Sequence, residues 1–281
     1  MPHDRTRTAL SRQLNGMTLS HFEITIKGPR TTTVRVMSRD QILDGLDRLK
    51  RANMAGSHIY VRGPRDMDHD LVLIDDIQRF TPGRMQAEGC DPAVVVETSP
   101  GSVQAWIRLG QPVPPAVRHE VARFLAACYG GDTAAVNPHQ AGRLAGFTNR
   151  KPEHRGPQGF PFVLLLNAPG RVAPRAPALI AAARRKMALA QCRLRELAAA
   201  LHVSASGDPH RDLVAAWQAV YAQRTGADLS AVDWSIVNQG LGLGVDPDTL
   251  ASALAEVADR KGRHAESYAE RTLQSAIRRR S

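Results

Sequence analysis

From residue 20 onward, apolar positions recur first with a period of two and then with a period of 3.6, and this alternation repeats over the first 166 residues. Residues 21–27 (HFEITIK) and 31–37 (TTTVRVM) follow the strand period around Gly28-Pro29-Arg30, which predicts a β-hairpin. Ser38 with Gln41 three positions later reads as a capping box, and Ile42, Leu46 and Leu49 then share one helical face to about Gly56. Residues 57–62 (SHIYVR) and 71–77 (LVLIDDI) are expected to form the next strand pair. Thr81 before Pro82 reads as the N-cap of a short helix reaching about Gly89. Residues 93–98 and 103–109 form a second hairpin around Ser99-Pro100-Gly101-Ser102. A helix from about Pro115 to Tyr129 comes next, with Val117, Val121, Phe124 and Leu125 as its stripe, and residues 160–166 make a last short strand. Hairpins and helices on an open sheet predict an α+β fold, not a doubly wound nucleotide-binding one.

The pattern changes at Asn167-Ala-Pro-Gly-Arg-Val-Ala-Pro-Arg-Ala-Pro177, a linker by composition. Ala183, Met187, Ala190, Leu194, Leu197 and Leu201 then take a 4,3,4,3,4 spacing along one long helix. Beyond Ser204-Ala-Ser-Gly-Asp-Pro209, three amphipathic segments predict a small helical bundle. They carry Leu213, Val214, Trp217, Val220 and Tyr221; Leu250, Leu254 and Val257; and Tyr268, Leu273, Ala276 and Ile277. The expected division is an α+β domain over 1–175, a connecting helix over 176–205 and a helical bundle over 206–281.

With 281 residues, two domains are the better prior. Lys and Arg total 37 against 27 acids, a net charge of +10, and only five of the 37 are Lys. Guanidinium forks suit phosphates and base edges, which favours a nucleic-acid or nucleotide partner; a GC-rich genome also writes Arg for Lys. Cys90, Cys128 and Cys192 lie far apart, which suggests neither a zinc module nor a disulfide framework and fits a reducing cytoplasm. No secretion signal or membrane-spanning apolar run is expected. No G-x-x-x-x-G-K-[ST] loop or G-x-S-x-G elbow occurs.

Three constellations carry chemistry. The first is Asp75-Asp76 at the end of the buried run Leu71-Val-Leu-Ile74, a costly placement that a divalent metal would justify. Side chains alternate across a strand, so the two acids share a metal only if the strand bulges there; otherwise Asp76 caps a turn and Asp75 alone faces a cleft. The second is Gln104 with Trp106, an amide and an aromatic plate on one strand face, able to bond and stack a nucleotide or to belong to an ordinary hairpin. The third runs from Gly130-Gly131-Asp132 to Arg143-Leu-Ala-Gly-Phe-Thr-Asn149-Arg150-Lys151-Pro152, a cradle for a triphosphate or a solvated basic loop.

In this order, L-V-L-I-D-D-I, E-T-S-P-G-S-V-Q-A-W and G-R-L-A-G-F-T-N-R-K-P resemble the RepB-type primases of mobilisable plasmids, a branch of the archaeo-eukaryotic primase superfamily. The resemblance spans roughly residues 20–166, and K-G-R-H-A-E-S-Y-A-E-R-T is similar to the helical tail after the catalytic domain in that family. It implies an RRM-like palm that makes short primers on single-stranded DNA with Mg2+ or Mn2+ at a two-metal site and nucleoside triphosphates as substrates. A replicative helicase is a further expected partner, in a bacterial cytoplasm.

The resemblance makes Asp75, Asp76 and Asp132 the catalytic metal ligands. Gln104, Arg143, Asn149, Arg150 and Lys151 would bind the nucleotide, and Trp106 with Arg278, Arg279 and Arg280 the DNA. Many members of the wider superfamily separate the acids by one residue and place a histidine where this chain has Gln104. The reading from another class is a nonenzymatic single-strand binder with an RRM-like sheet, which leaves the three acids unexplained.

Overall fold

The computed structural model describes residues 4–133, 136–137, 139–203, 208–222, 229–258 and 264–279. The chain divides into two compact units, Met1–Arg185 and Lys186–Ser281.

The first unit opens with α1 (Arg5–Met17), a helix that the polar start of the chain does not announce. Asp4 caps it by accepting the Arg7 N–H, and Leu10, Leu14 and Met17, spaced four and three apart, are buried in the core. One antiparallel sheet runs in the order β2 (Thr32–Ser38), β1 (His21–Lys27), β3 (His58–Arg62), β7 (Gly142–Arg143). The second runs β4 (His69–Gln78), β6 (Ser102–Val113), β5 (Val94–Ser99), β8 (Leu164–Asn167), also antiparallel.

The expected pairing of residues 57–62 with 71–77 is therefore corrected. Both edges of β3 are taken, by β1 and β7, and the intervening loop carries the chain into the other sheet. Gly63 makes the crossing possible, because a Cβ there would lie 2.4 Å from the His69 ring. The last strand likewise sits later than expected, at Leu164–Asn167, with Phe162 in a single bridge to Thr148.

Ser38 and Gln41 form the capping box, but the helix they start breaks at Gly45 into α2 (Arg39–Asp44) and α3 (Leu46–Met54). α4 (Thr81–Ala87) is capped at Phe80, which makes Thr81 its first helical residue. α5 (Pro115–Tyr129) packs on β4. Leu10, Phe22, Ile24, Ile59 and Val61 join Leu73, Val96 and Trp106 in one core, so the inner faces of the two sheets are buried together.

The linker leads into α6 (Ala176–Val203). Of its seam, Ala183 is buried and Met187 half-buried; the side chains of Ala190, Leu194, Leu197 and Leu201 lie outside the described residues. No helix among the described residues is long and apolar enough to cross a membrane.

The second unit packs α7 (Pro209–Ala222), α8 (Leu229–Gly242), α9 (Pro247–Val257) and α10 (Ala265–Arg278) around Trp217, Ile236, Leu250 and Leu254. α8 is an addition to the three expected segments, because its apolar residues spread around the helix and mark no single face. Its Asp233 is fully buried and accepts hydrogen bonds from Trp217 Nε1 (3.2 Å), Tyr268 Oη (2.6 Å) and Tyr221 Oη.

Candidate active site

The strand breaks at the acid pair. Ile74 faces Ala105 and Ile77 faces Val103, so three steps along β4 match two along β6, a β-bulge. Asp76 takes up the extra residue in the left-handed region, at φ 58°. Asp75 Oδ1 accepts from Gln104 Nε2 at 2.9 Å, and Asp76 Oδ1 accepts from Ser102 Oγ at 2.7 Å. Ser102 and Gln104 are two positions apart on β6 and so share a face; both acids are turned toward it.

Burial pushes the Asp75 carboxyl above the ordinary carboxylate value, and the charge of Asp76 adds to this. The Gln104 amide and the Asp76 N–H oppose it.

Gln104 reaches further. Its Oε1 accepts the Arg143 N–H at 2.8 Å, so one buried amide links Asp75 to β7. Gln13 of α1 grips the same strand by donating to Arg143 O (3.1 Å) and accepting from Ala145 N (2.7 Å). Gly142 lets the strand lie this close, since a Cβ there would come within 2.7 Å of the Trp106 ring. The Arg143 guanidinium lies 3.1 Å from His58 Nδ1 and 5.1 Å over the Tyr60 ring. Burial pulls the His58 pKa down, and the charge of Arg143 pulls it further. His58 is thus a neutral acceptor for the guanidinium.

Three expected roles need correction. Trp106 is 2% exposed and belongs to the core between the sheets, so it cannot stack bases; its strand face points inward. Gln104 is 3% exposed with both ends of its amide engaged by the protein, which makes it a positioning residue rather than a nucleotide contact. Asn149 is fully buried, donating to Thr98 O (2.8 Å) and accepting from Lys151 N (3.2 Å), so it shapes the basic loop. The Asp132 N–H bonds to Asp75 O at 3.1 Å, which brings the third acid close in backbone.

The remaining cations are spread out. Arg150 donates to Met54 O (3.2 Å) and covers the Phe160 ring, while Lys151 is exposed beside Glu153. In the second unit Arg278 is exposed, Arg279 lies 5.1 Å over Trp234, and Arg280 falls outside the described residues.

His58, Tyr60, Ser102 and Gln13 were missed in the sequence. Only the alternation of β3, which puts His58 and Tyr60 on one face, signalled any of them.

The donor chemistry of the pair suits a hard divalent ion: two adjacent carboxylates, one desolvated, turned to a common side. Two antiparallel sheets with this acid pair on a bulged strand define an α+β fold with a two-carboxylate site. Residues 27–190 match the RepB DNA-primase N-terminal domain. The chain belongs to that family of RepB-type plasmid primases.

It is 34% identical to Mobilization protein A of Escherichia coli over 99% of its own length, and spans 41% of that relative. Among solved structures it resembles the primase RepB', at 34% identity and a TM-score of 0.67 over 97% of this chain and 94% of that one. It also resembles the catalytic domain of RepB' in complex with initiator DNA, at 38% identity and a TM-score of 0.63 over 67% of this chain and 98% of that one.

Proposed function

We propose that this chain synthesises short primers on single-stranded DNA by nucleotidyl transfer, with Asp75 and Asp76, joined by the adjacent Asp132, as the residues that hold a divalent metal. The observation that carries the reading is the bulge at Ile74–Ile77, which turns two adjacent carboxylates to one side at a site where an unneutralised pair is costly. Magnesium or manganese, when bound, would supply charge neutralisation at the attacking hydroxyl and at the α-phosphate.

The protein's own groups set the stage for that chemistry. Gln104 orients Asp75, and Ser102 orients Asp76. Arg143, fixed through its backbone by Gln104 and through its guanidinium by His58, offers positive charge beside the acids. Arg150 and Lys151 on the neighbouring loop are the cations we assign to the triphosphate.

The charge surplus favours the first unit as the main DNA-binding part. Residues 1–185 hold 25 Lys and Arg against 16 acids, whereas 186–281 hold 12 against 11. We therefore assign Arg278 and Arg279 a local contact with template rather than the principal one.

The test is incorporation of labelled nucleotide on single-stranded DNA with and without magnesium or manganese. Metal-dependent products, lost in Asp75→Ala and Asp76→Ala, are expected. Metal-independent DNA binding with no incorporation would instead establish a nonenzymatic single-strand binder.

A further inference from the structure

The outer face of the first sheet presents an ordered row. Backbone pairing aligns Val34 on β2 with Thr25 on β1, Tyr60 on β3 and Arg143 on β7. The alternate residues Phe22, Ile24, Ile59 and Val61 are buried, so this row stands on the side away from the core. It is uncovered at its far end, where Val34 is 44% exposed and Val36 56% exposed. Two apolar side chains open to solvent on a sheet face beside a half-buried tyrosine offer a surface on which a flat apolar ligand can rest.

The row also has a shape. Arg143 covers the Tyr60 ring from the β7 side. On the other side the neighbour is Thr25, a small side chain between the tyrosine and Val34. The small Thr25 thus separates an aromatic side chain from an aliphatic one along the row. One adjoining row is Thr32, Lys27 and His58, which places an exposed cation beside it; the other is Val36, Glu23 and Arg62, where the carboxylate is neutralised by Arg62 and Arg65.

We propose that this face is the track for the single-stranded template, with an unpaired base lodged over Thr25 between Tyr60 and Val34 and its phosphate at Lys27. Three observations select this occupant. Nucleobases stack on aromatic rings without regard to sequence, and the surrounding unit is strongly basic. The row begins at Arg143, whose N–H is tied through Gln104 to Asp75, so it is continuous with the candidate active site. It then extends three strand spacings, about 14 Å, to the edge strand β2. A row of that length is longer than one nucleotide and suits a polynucleotide. Tyr60 thus takes the stacking role that the buried Trp106 cannot fill.

The inference rests on the reading that single-stranded DNA is the template. It is tested with the full chain and a fluorescein-labelled single-stranded oligodeoxynucleotide, by anisotropy without nucleotide. Tyr60→Ala should weaken binding by about tenfold, and Tyr60→Phe should bind as the parent does. Val34→Glu, at the exposed edge, should weaken template binding while leaving the KM for nucleotide at saturating template unchanged. Unaltered template affinity in either Tyr60→Ala or Val34→Glu, with circular dichroism showing an intact fold, overturns the proposal. A parent protein that binds DNA through Tyr60 yet incorporates nothing refutes priming and leaves the track standing; one that primes while Tyr60→Ala binds normally refutes the track alone.

Discussion

Gln104 holds Asp75 with one end of its side-chain amide and the backbone of Arg143 with the other, at 2.9 and 2.8 Å. A single uncharged residue thereby joins the acid pair of the second sheet to the basic strand of the first. Replacement by leucine leaves the buried Arg143 N–H without its acceptor, at a cost of about 1–3 kcal/mol. Gln104→Leu should melt at lower temperature than the parent and lose most nucleotide incorporation, and Gln104→Glu should lose it too by adding a negative charge beside Asp75. Calorimetry and a primer-synthesis assay check both; normal incorporation by Gln104→Leu would remove the residue from the site.

Asp75 couples stability to pH. Its folded pKa lies above the ordinary 3.8, so protonation supports the metal-free fold below that value and the support is lost as pH rises through the raised pKa. Asp75→Asn should therefore have a higher melting temperature than the parent at neutral pH without metal, while abolishing incorporation. A lower melting temperature in that variant would contradict the burial argument.

Glu23 has the opposite sign. Burial alone would raise its carboxyl, but the Arg65 and Arg62 hydrogen bonds outweigh this and bring it to about 2 from 4.5. Its contribution to stability is present above pH 4.5 and disappears as pH falls toward 2. Glu23→Gln should lower the melting temperature at pH 7, and the gap from the parent should close in acid. Thermal melts across that range decide it.

At Asp76 the backbone conformation should dominate. With φ at 58°, Asp76→Asn and Asp76→Gly should keep the fold, whereas Asp76→Val should cost roughly 1–3 kcal/mol through strain. All three should fail to incorporate nucleotide. Urea titration separates the loss of stability from the loss of activity.

In the helical unit, Asp233 gathers Trp217, Tyr221 and Tyr268 into one buried network. Asp233→Leu removes the shared acceptor, and the fully buried Trp217 Nε1 alone then costs about 1–3 kcal/mol. Its expected outcome is loss of the cooperative unfolding transition of that unit, read by tryptophan fluorescence. An unchanged transition would show that the helices pack without the carboxylate.

Much of this molecule was legible as a string of residues. Period-two runs bounded by turn residues marked both hairpins, and the 3.6 period with a capping box or proline marked α2 and α5, because these signals depend only on neighbours a few positions away. The order of the acid, Gln-Ala-Trp and basic motifs identified the family. Other features needed the fold. Whether β3 pairs with β4 or with β1 and β7 is a contest between distant edges, and no local period encodes it. Gln104 and Trp106 occupy one strand face in either representation, yet only the packing of two sheets shows that this face is internal. That burial turns an expected ligand contact into a brace within the protein. The acid pair shows the division most clearly: sequence alone determined that two carboxylates end a buried strand, whereas the bulge that turns both to one side exists because β4 must match the register of β6, a constraint set by tertiary pairing.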